Sequence, residues 1–141
     1  MAHELCHWKQ SHLVKSSLTD TLYMVLFGCL LSLVLNKPNF LAAFGFHETS
    51  FFVSLGLFTW LYTVTLHQWI LILIHKQSRL HEHQADEYAV KLGYGVSLQS
   101  ALIRSYASNK DNLFNSWIDQ LLIGSHPTLH ERLAEIKDLM D

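Results

Sequence analysis

His3-Glu4-Leu5-Cys6-His7 is an H-E-x-x-H run, the spacing by which one helix presents two zinc ligands and a catalytic carboxylate. Four residues apart, His3 and His7 share a helix face and can both reach one ion. Glu4 stands about a sixth of a turn beyond His7, placed to touch a water at the metal without ligating the metal itself. A catalytic zinc usually has three protein ligands and keeps a fourth position open. In the metzincin pattern the third would be a histidine six residues after the second. That residue is Leu13, the glycine expected three places earlier is Gln10, and His12 is one residue out of place. The alternative is a glutamate from a separate helix. The stretch from Arg79 to Ala89 offers Glu82 as the ligand, with Asp86 one turn later on the same face. There Asp86 would accept the remaining N–H of a zinc histidine and fix its tautomer.

His-Glu-Leu-Cys-His-Trp-Lys is followed in order by Ala42-Ala43-Phe44-Gly45-Phe46, Glu82-His83-Gln84-Ala85-Asp86, Asn109-Lys110-Asp111-Asn112-Leu113 and Ser125-His126-Pro127-Thr128-Leu129-His130-Glu131-Arg132-Leu133. Together these segments resemble, in order and spacing, the C-terminal part of the CAAX prenyl protease 1 family, over nearly the whole chain. The resemblance implies one Zn2+ per chain held by His3, His7 and Glu82, with Glu4 as general base. It also implies that His126 and Arg132 assist at the substrate carbonyl. Two positions depart from the family pattern: Cys6 stands where a glycine is usual, and His83 where a phenylalanine follows the ligand glutamate. Cys6 reads as a small packing residue rather than a thiolate near the metal. Several membrane helices precede the zinc motif in the family, whereas Met1 and Ala2 precede His3 here. The resemblance therefore implies a C-terminal part of a peptidase domain that works with N-terminal membrane helices lying outside this sequence.

These chemical groups have to be positioned by the rest of the 141 residues, of which 50% are apolar and 16% charged. The apolar residues cluster. Leu18 to Leu35 would span about 27 Å as a helix and Phe51 to Ile74 about 36 Å, each enough to cross a bilayer core. Asn36-Lys37-Pro38-Asn39 stops the first run and Gly45 marks a turn. Lys9 and Lys15 precede the first span, Lys76 and Arg79 follow the second, and Lys37 is alone between them. That distribution puts both ends on the cytosolic side and returns Glu82 to the membrane face that carries His3 and His7. A net charge of -2 offers no basic stripe for nucleic acid, and membrane lipid is the expected surrounding. His67 lies inside the second span, where an ionisable side chain normally faces a polar partner or a cavity.

The expected fold is all-α, a helical integral-membrane zinc metalloprotease fragment with a transmembrane hairpin. Its expected elements are a zinc-motif helix near 2–15, spans near 18–35 and 51–74, a ligand helix near 77–92, and C-terminal helices near 97–107 and 128–140. Gly93 ends the ligand helix, Ser108 to Asn115 is a solvated loop in which Asp111 and Asn112 are ordinary polar residues, and Thr128 with Glu131 forms a capping box. By resemblance the substrate is the C-terminal peptide of a prenylated CAAX protein and the location the endoplasmic reticulum or inner nuclear membrane. The rival readings are a membrane quality-control metallopeptidase and a catalytically silent membrane fragment that binds zinc or a partner.

Overall fold

The structure, a computed structural model, describes residues 2–35, 37–46, 50–109 and 124–141. Asp111 and Asn112 lie outside the described residues. Among those described, every regular element is helical: α1 (Ala2–Lys9), α2 (His12–Leu35), α3 (Pro38–Ala42), α4 (Phe51–Tyr62), a π turn (Thr63–His67), α5 (Gln68–Lys91), α6 (Gly95–Asn109) and α7 (Leu129–Asp138). Two helices are long and apolar enough to cross a membrane, His12–Leu35 and Phe51–Lys91. Their apolar windows are 0% and 11% buried inside the protein, whereas the core helix of a water-soluble domain is mostly buried. Leu22, Met24, Leu33 and Phe52 stand exposed along them, a surface that hydrocarbon solvates at far lower free energy than water does.

The element boundaries differ from the expected ones in two informative places. The zinc-motif helix does not run to residue 15; α1 ends at Lys9 and α2 begins at His12. Between them Ser11 adopts φ 54°, and its N–H donates to Trp8 O at 3.1 Å while the Gln10 N–H donates to Cys6 O at 2.9 Å. This left-handed residue closes α1 and turns the chain before α2 starts. The second span and the ligand helix, expected as separate elements, are instead one continuous helix, Phe51–Lys91. No glycine or proline interrupts Ile74-His75-Lys76-Gln77, so polarity changes along the helix without any backbone reason to break it. Gly93 ends it at φ 82°, with the Tyr94 N–H donating to Ala89 O at 3.0 Å and the Gly93 N–H to Val90 O at 2.8 Å. Those two bonds form the Schellman closure that favours glycine.

The chain divides into two compact units, Met1–Ser16 with Ile72–Asp141, and Ser17–Leu71. In the second, Phe27 packs edge-on against Tyr62 with centroids 5.0 Å apart and lies 5.4 Å from Phe58. His67, within the π turn, takes a 2.7 Å hydrogen bond with the Tyr23 hydroxyl, the polar partner that an intramembrane histidine needs.

The first unit carries the motif residues. Ala85 and Ala89 are buried on α5, and the fully buried Cys6 of α1 donates its S–H to Gln84 O at 3.4 Å. Cys6 thus packs as a small residue, and burial pushes its thiol pKa up. Lys9 lies over the Tyr88 ring at 5.1 Å. The C-terminal helix α7 starts at the expected capping box: the Glu131 N–H donates to Thr128 Oγ1 at 3.3 Å and the Thr128 N–H to Glu131 Oε2 at 2.9 Å. Its Ile136 is fully buried, stabilising the unit by about 1.5–3 kcal/mol. Gln99 donates to Leu133 O at 3.3 Å and the Tyr106 hydroxyl to Pro127 O at 3.1 Å. Arg79 donates to Gly124 O at 2.6 Å, so α5 and α6 both hold the short segment that carries His126.

Candidate active site

On α1 the four-residue spacing brings His3 and His7 together with Nε2 atoms 3.1 Å apart. From α5, Glu82 Oε2 lies 3.5 Å from His3 Nε2 and Glu82 Oε1 lies 3.8 Å from His7 Nε2. Ligands on a tetrahedral zinc at about 2.0–2.1 Å stand about 3.3 Å from one another, and the three observed separations bracket that value. The donor set of two imidazoles and one carboxylate suits zinc.

Asp86, one turn beyond Glu82 and 1% exposed, places Oδ1 2.9 Å from His3 Nδ1. A carboxylate can only accept, so His3 carries its proton on Nδ1 and its Nε2 lone pair faces His7 Nε2 and Glu82 Oε2. Glu4 is exposed on α1 and lines a pocket of about 370 Å³ with His3, His7, Ser16, Ser78 and Glu82. A larger groove of about 1170 Å³, lined among others by Leu80, His83, Pro127 and Glu135, includes none of the three candidate ligands. There His83 Nδ1 meets the Glu135 carboxylate, which gives the histidine that follows Glu82 a polar partner at the surface.

His126 and Arg132, six residues apart, both reach Glu82 but do different things. His126 is exposed, with Nδ1 3.3 Å from Glu82 Oε1. The hydrogen bond to Glu82 holds its imidazole pKa above the ordinary value, against a smaller opposing effect of burial. Arg132 is 6% exposed. Its Nε donates to Asp86 Oδ2 and its Nη2 to Asp86 Oδ1, both at 2.7 Å, and Nη1 lies 3.1 Å from Glu82 Oε2. Burial opposes its charge, but the Asp86 hydrogen bonds and the two carboxylate charges outweigh that, and its pKa is raised. Where the resemblance puts Arg132 at the substrate carbonyl, the structure has its guanidinium clamped across the carboxylates of Asp86 and Glu82.

Sequence reasoning passed over His12 and Gln84. His12 is 2% exposed, with Nδ1 3.1 Å from His7 Nδ1 and Nε2 3.0 Å from Gln84 Oε1. Five residues is not a helix-face spacing, and only the turn at Ser11 brings His12 back to His7.

Peptidase family M48 matches residues 1–140. The CAAX prenyl protease 1 homolog of Homo sapiens is 33% identical over 144 residues, which cover 99% of this chain and 30% of that protein. CAAX prenyl protease 1 of Saccharomyces cerevisiae is 31% identical over 153 residues, covering 96% of this chain and 33% of that one. The crystal structure of S. mikatae Ste24p superposes with a TM-score of 0.81 at 31% identity, over 96% of this chain and 35% of that chain. The chain thus spans about a third of the length of the curated relatives it matches. With its helices superposing on Ste24p and the family match running from end to end, the chain belongs to peptidase family M48.

Proposed function

We propose that this chain carries the zinc centre and the catalytic groups of a membrane endopeptidase that cleaves near the C-terminus of prenylated CAAX proteins. The observation that carries the reading is the convergence of His3, His7 and Glu82, whose ligand atoms lie within 4.8 Å of one another, with Glu4 lining the same pocket. These three residues would hold the metal, one zinc per chain. Bound there, zinc supplies Lewis acidity, polarising a carbonyl and lowering the pKa of water from about 15.7 towards about 7.

The protein's own groups do the rest. Glu4 takes the proton as water attacks the scissile carbonyl and delivers it to the departing amine. His126 stands exposed beside Glu82, and donates to the oxygen on which charge develops. Arg132 and Asp86 act one step back: Asp86 orients His3, and Arg132 fixes both carboxylates. The names of the relatives support a prenylated substrate. A prenylated substrate also suits a chain with two helices apolar enough to enter a bilayer, because its hydrocarbon partitions into the same medium. On this reading both ends of the chain face the cytosol, from the endoplasmic reticulum or the inner nuclear membrane. The relatives are about three times as long as this chain, and on this reading further membrane helices would complete the substrate enclosure.

The test is cleavage of a farnesylated CAAX peptide by the full-length enzyme. Glu4→Gln is nearly isosteric and removes no ligand, so zinc content should persist while turnover falls by at least about a hundredfold. Undiminished turnover in that variant would refute the assigned base.

A further inference from the structure

Along an uninterrupted helix His12 would lie about 140° around the axis from His7 and face away from it. The left-handed Ser11 instead lets α2 start with His12 folded back. Its ring is stacked on His81, centroids 4.1 Å apart and planes 6° from parallel. Its Nε2 faces two side-chain amide oxygens, Gln84 Oε1 at 3.0 Å and Gln10 Oε1 at 3.2 Å. Amide oxygens only accept, so Nε2 of His12 carries the proton and Nδ1 presents a lone pair. The atom facing that lone pair is His7 Nδ1, at 3.1 Å. It must therefore be the N–H donor, which leaves the lone pair of His7 on Nε2, beside His3 Nε2 and Glu82 Oε1. The opposite wiring would put a proton on His7 Nε2 and bar it from any cation.

We infer that His12 is a positioning residue that sets the tautomer and ring plane of His7, locked in turn by Gln84 and Gln10, as Asp86 does for His3. The inference rests on the reading of His3, His7 and Glu82 as a zinc site. It means that the two ligand histidines are held by unlike partners, one a carboxylate clamped by Arg132, the other a neutral imidazole inside the unit.

The measurement is the zinc dissociation constant of the full chain in detergent, by chelator competition. His12→Leu keeps bulk but offers no acceptor, and should weaken zinc by about tenfold to a hundredfold. His12→Asn places an amide oxygen near the position of Nδ1 and should restore most of that loss. Ring nitrogen-15 shifts of the metal-free wild-type protein, which require no variant to fold, should report His12 protonated on Nε2 and His7 on Nδ1. Wild-type affinity in His12→Leu, equal weakness of the leucine and asparagine variants, or the reverse tautomers would each overturn the inference. Absence of zinc binding by the wild-type protein would overturn the metal reading and this inference with it. Tight wild-type binding with indifferent His12 variants would overturn the inference alone.

Discussion

Replacing Arg132 with methionine should unfold this unit far more readily than loss of a surface charge would. Arg132 and Asp86 are 6% and 1% exposed and joined by two 2.7 Å bonds, with a third contact of 3.1 Å to Glu82. Removing one partner of such a buried pair strands the others, at a cost of about 3–5 kcal/mol. At about 2–4 °C per kcal/mol for a chain near this size, the midpoint of thermal unfolding should fall by about 10 °C. Arg132→Lys keeps the charge but cannot make two parallel bonds to one carboxylate, and should lose about 1.5–3 kcal/mol. Adding Asp86→Asn to Arg132→Met removes one of the stranded charges, so the double variant should be less destabilised than the sum of the singles by about 0.5–3 kcal/mol. The assay is thermal unfolding of the chelator-treated protein in detergent. Because Asp86 and Glu82 depend on the same guanidinium, Arg132→Met should also weaken zinc. A change of less than about 0.5 kcal/mol, or intact stability and zinc affinity with turnover alone lost, would refute the clamp and return Arg132 to the substrate carbonyl.

Two further outcomes follow from the same geometry. His126 has a folded-state pKa raised by Glu82 from the ordinary 6.5, so its contribution to stability is full below that value and is lost as pH rises through the folded pKa. Unfolding of the metal-free protein measured against pH should show that decline near and above neutrality, and His126→Ala should abolish it. The two long apolar helices predict that the protein stays with membranes through alkaline carbonate extraction, and its release into the supernatant would contradict the hairpin.

The cluster of His3, His7 and Glu82 was legible because its spacing is helical arithmetic. His3 and His7 are one turn apart, as are Glu82 and Asp86, and those spacings survive in α1 and α5. The capping box of Thr128 and Glu131 was legible for the same reason, being local. The all-α class followed from two apolar runs of membrane length. What could not be read depended on a single backbone angle or on contacts distant in sequence. Nothing in Gln10-Ser11 announces a left-handed residue, and a helix continued over 2–15 turns His12 away from His7. The clamp of Arg132 on Asp86 joins residues 46 positions apart, and a motif carries the identity of such a residue without showing which of its neighbours occupies its donors. The continuous helix Phe51–Lys91 was divided in expectation because its polarity changes, although no glycine or proline falls at that change to break the backbone.

The central claim is that His3, His7 and Glu82 form one metal site, and zinc stoichiometry of the purified protein tests it most directly. The account predicts one zinc per chain in chelator-free buffer, lost in a His3→Ala/His7→Ala variant and in Glu82→Ala. A stoichiometry near zero in the wild-type protein, or zinc retained undiminished when both histidines are gone, would contradict it.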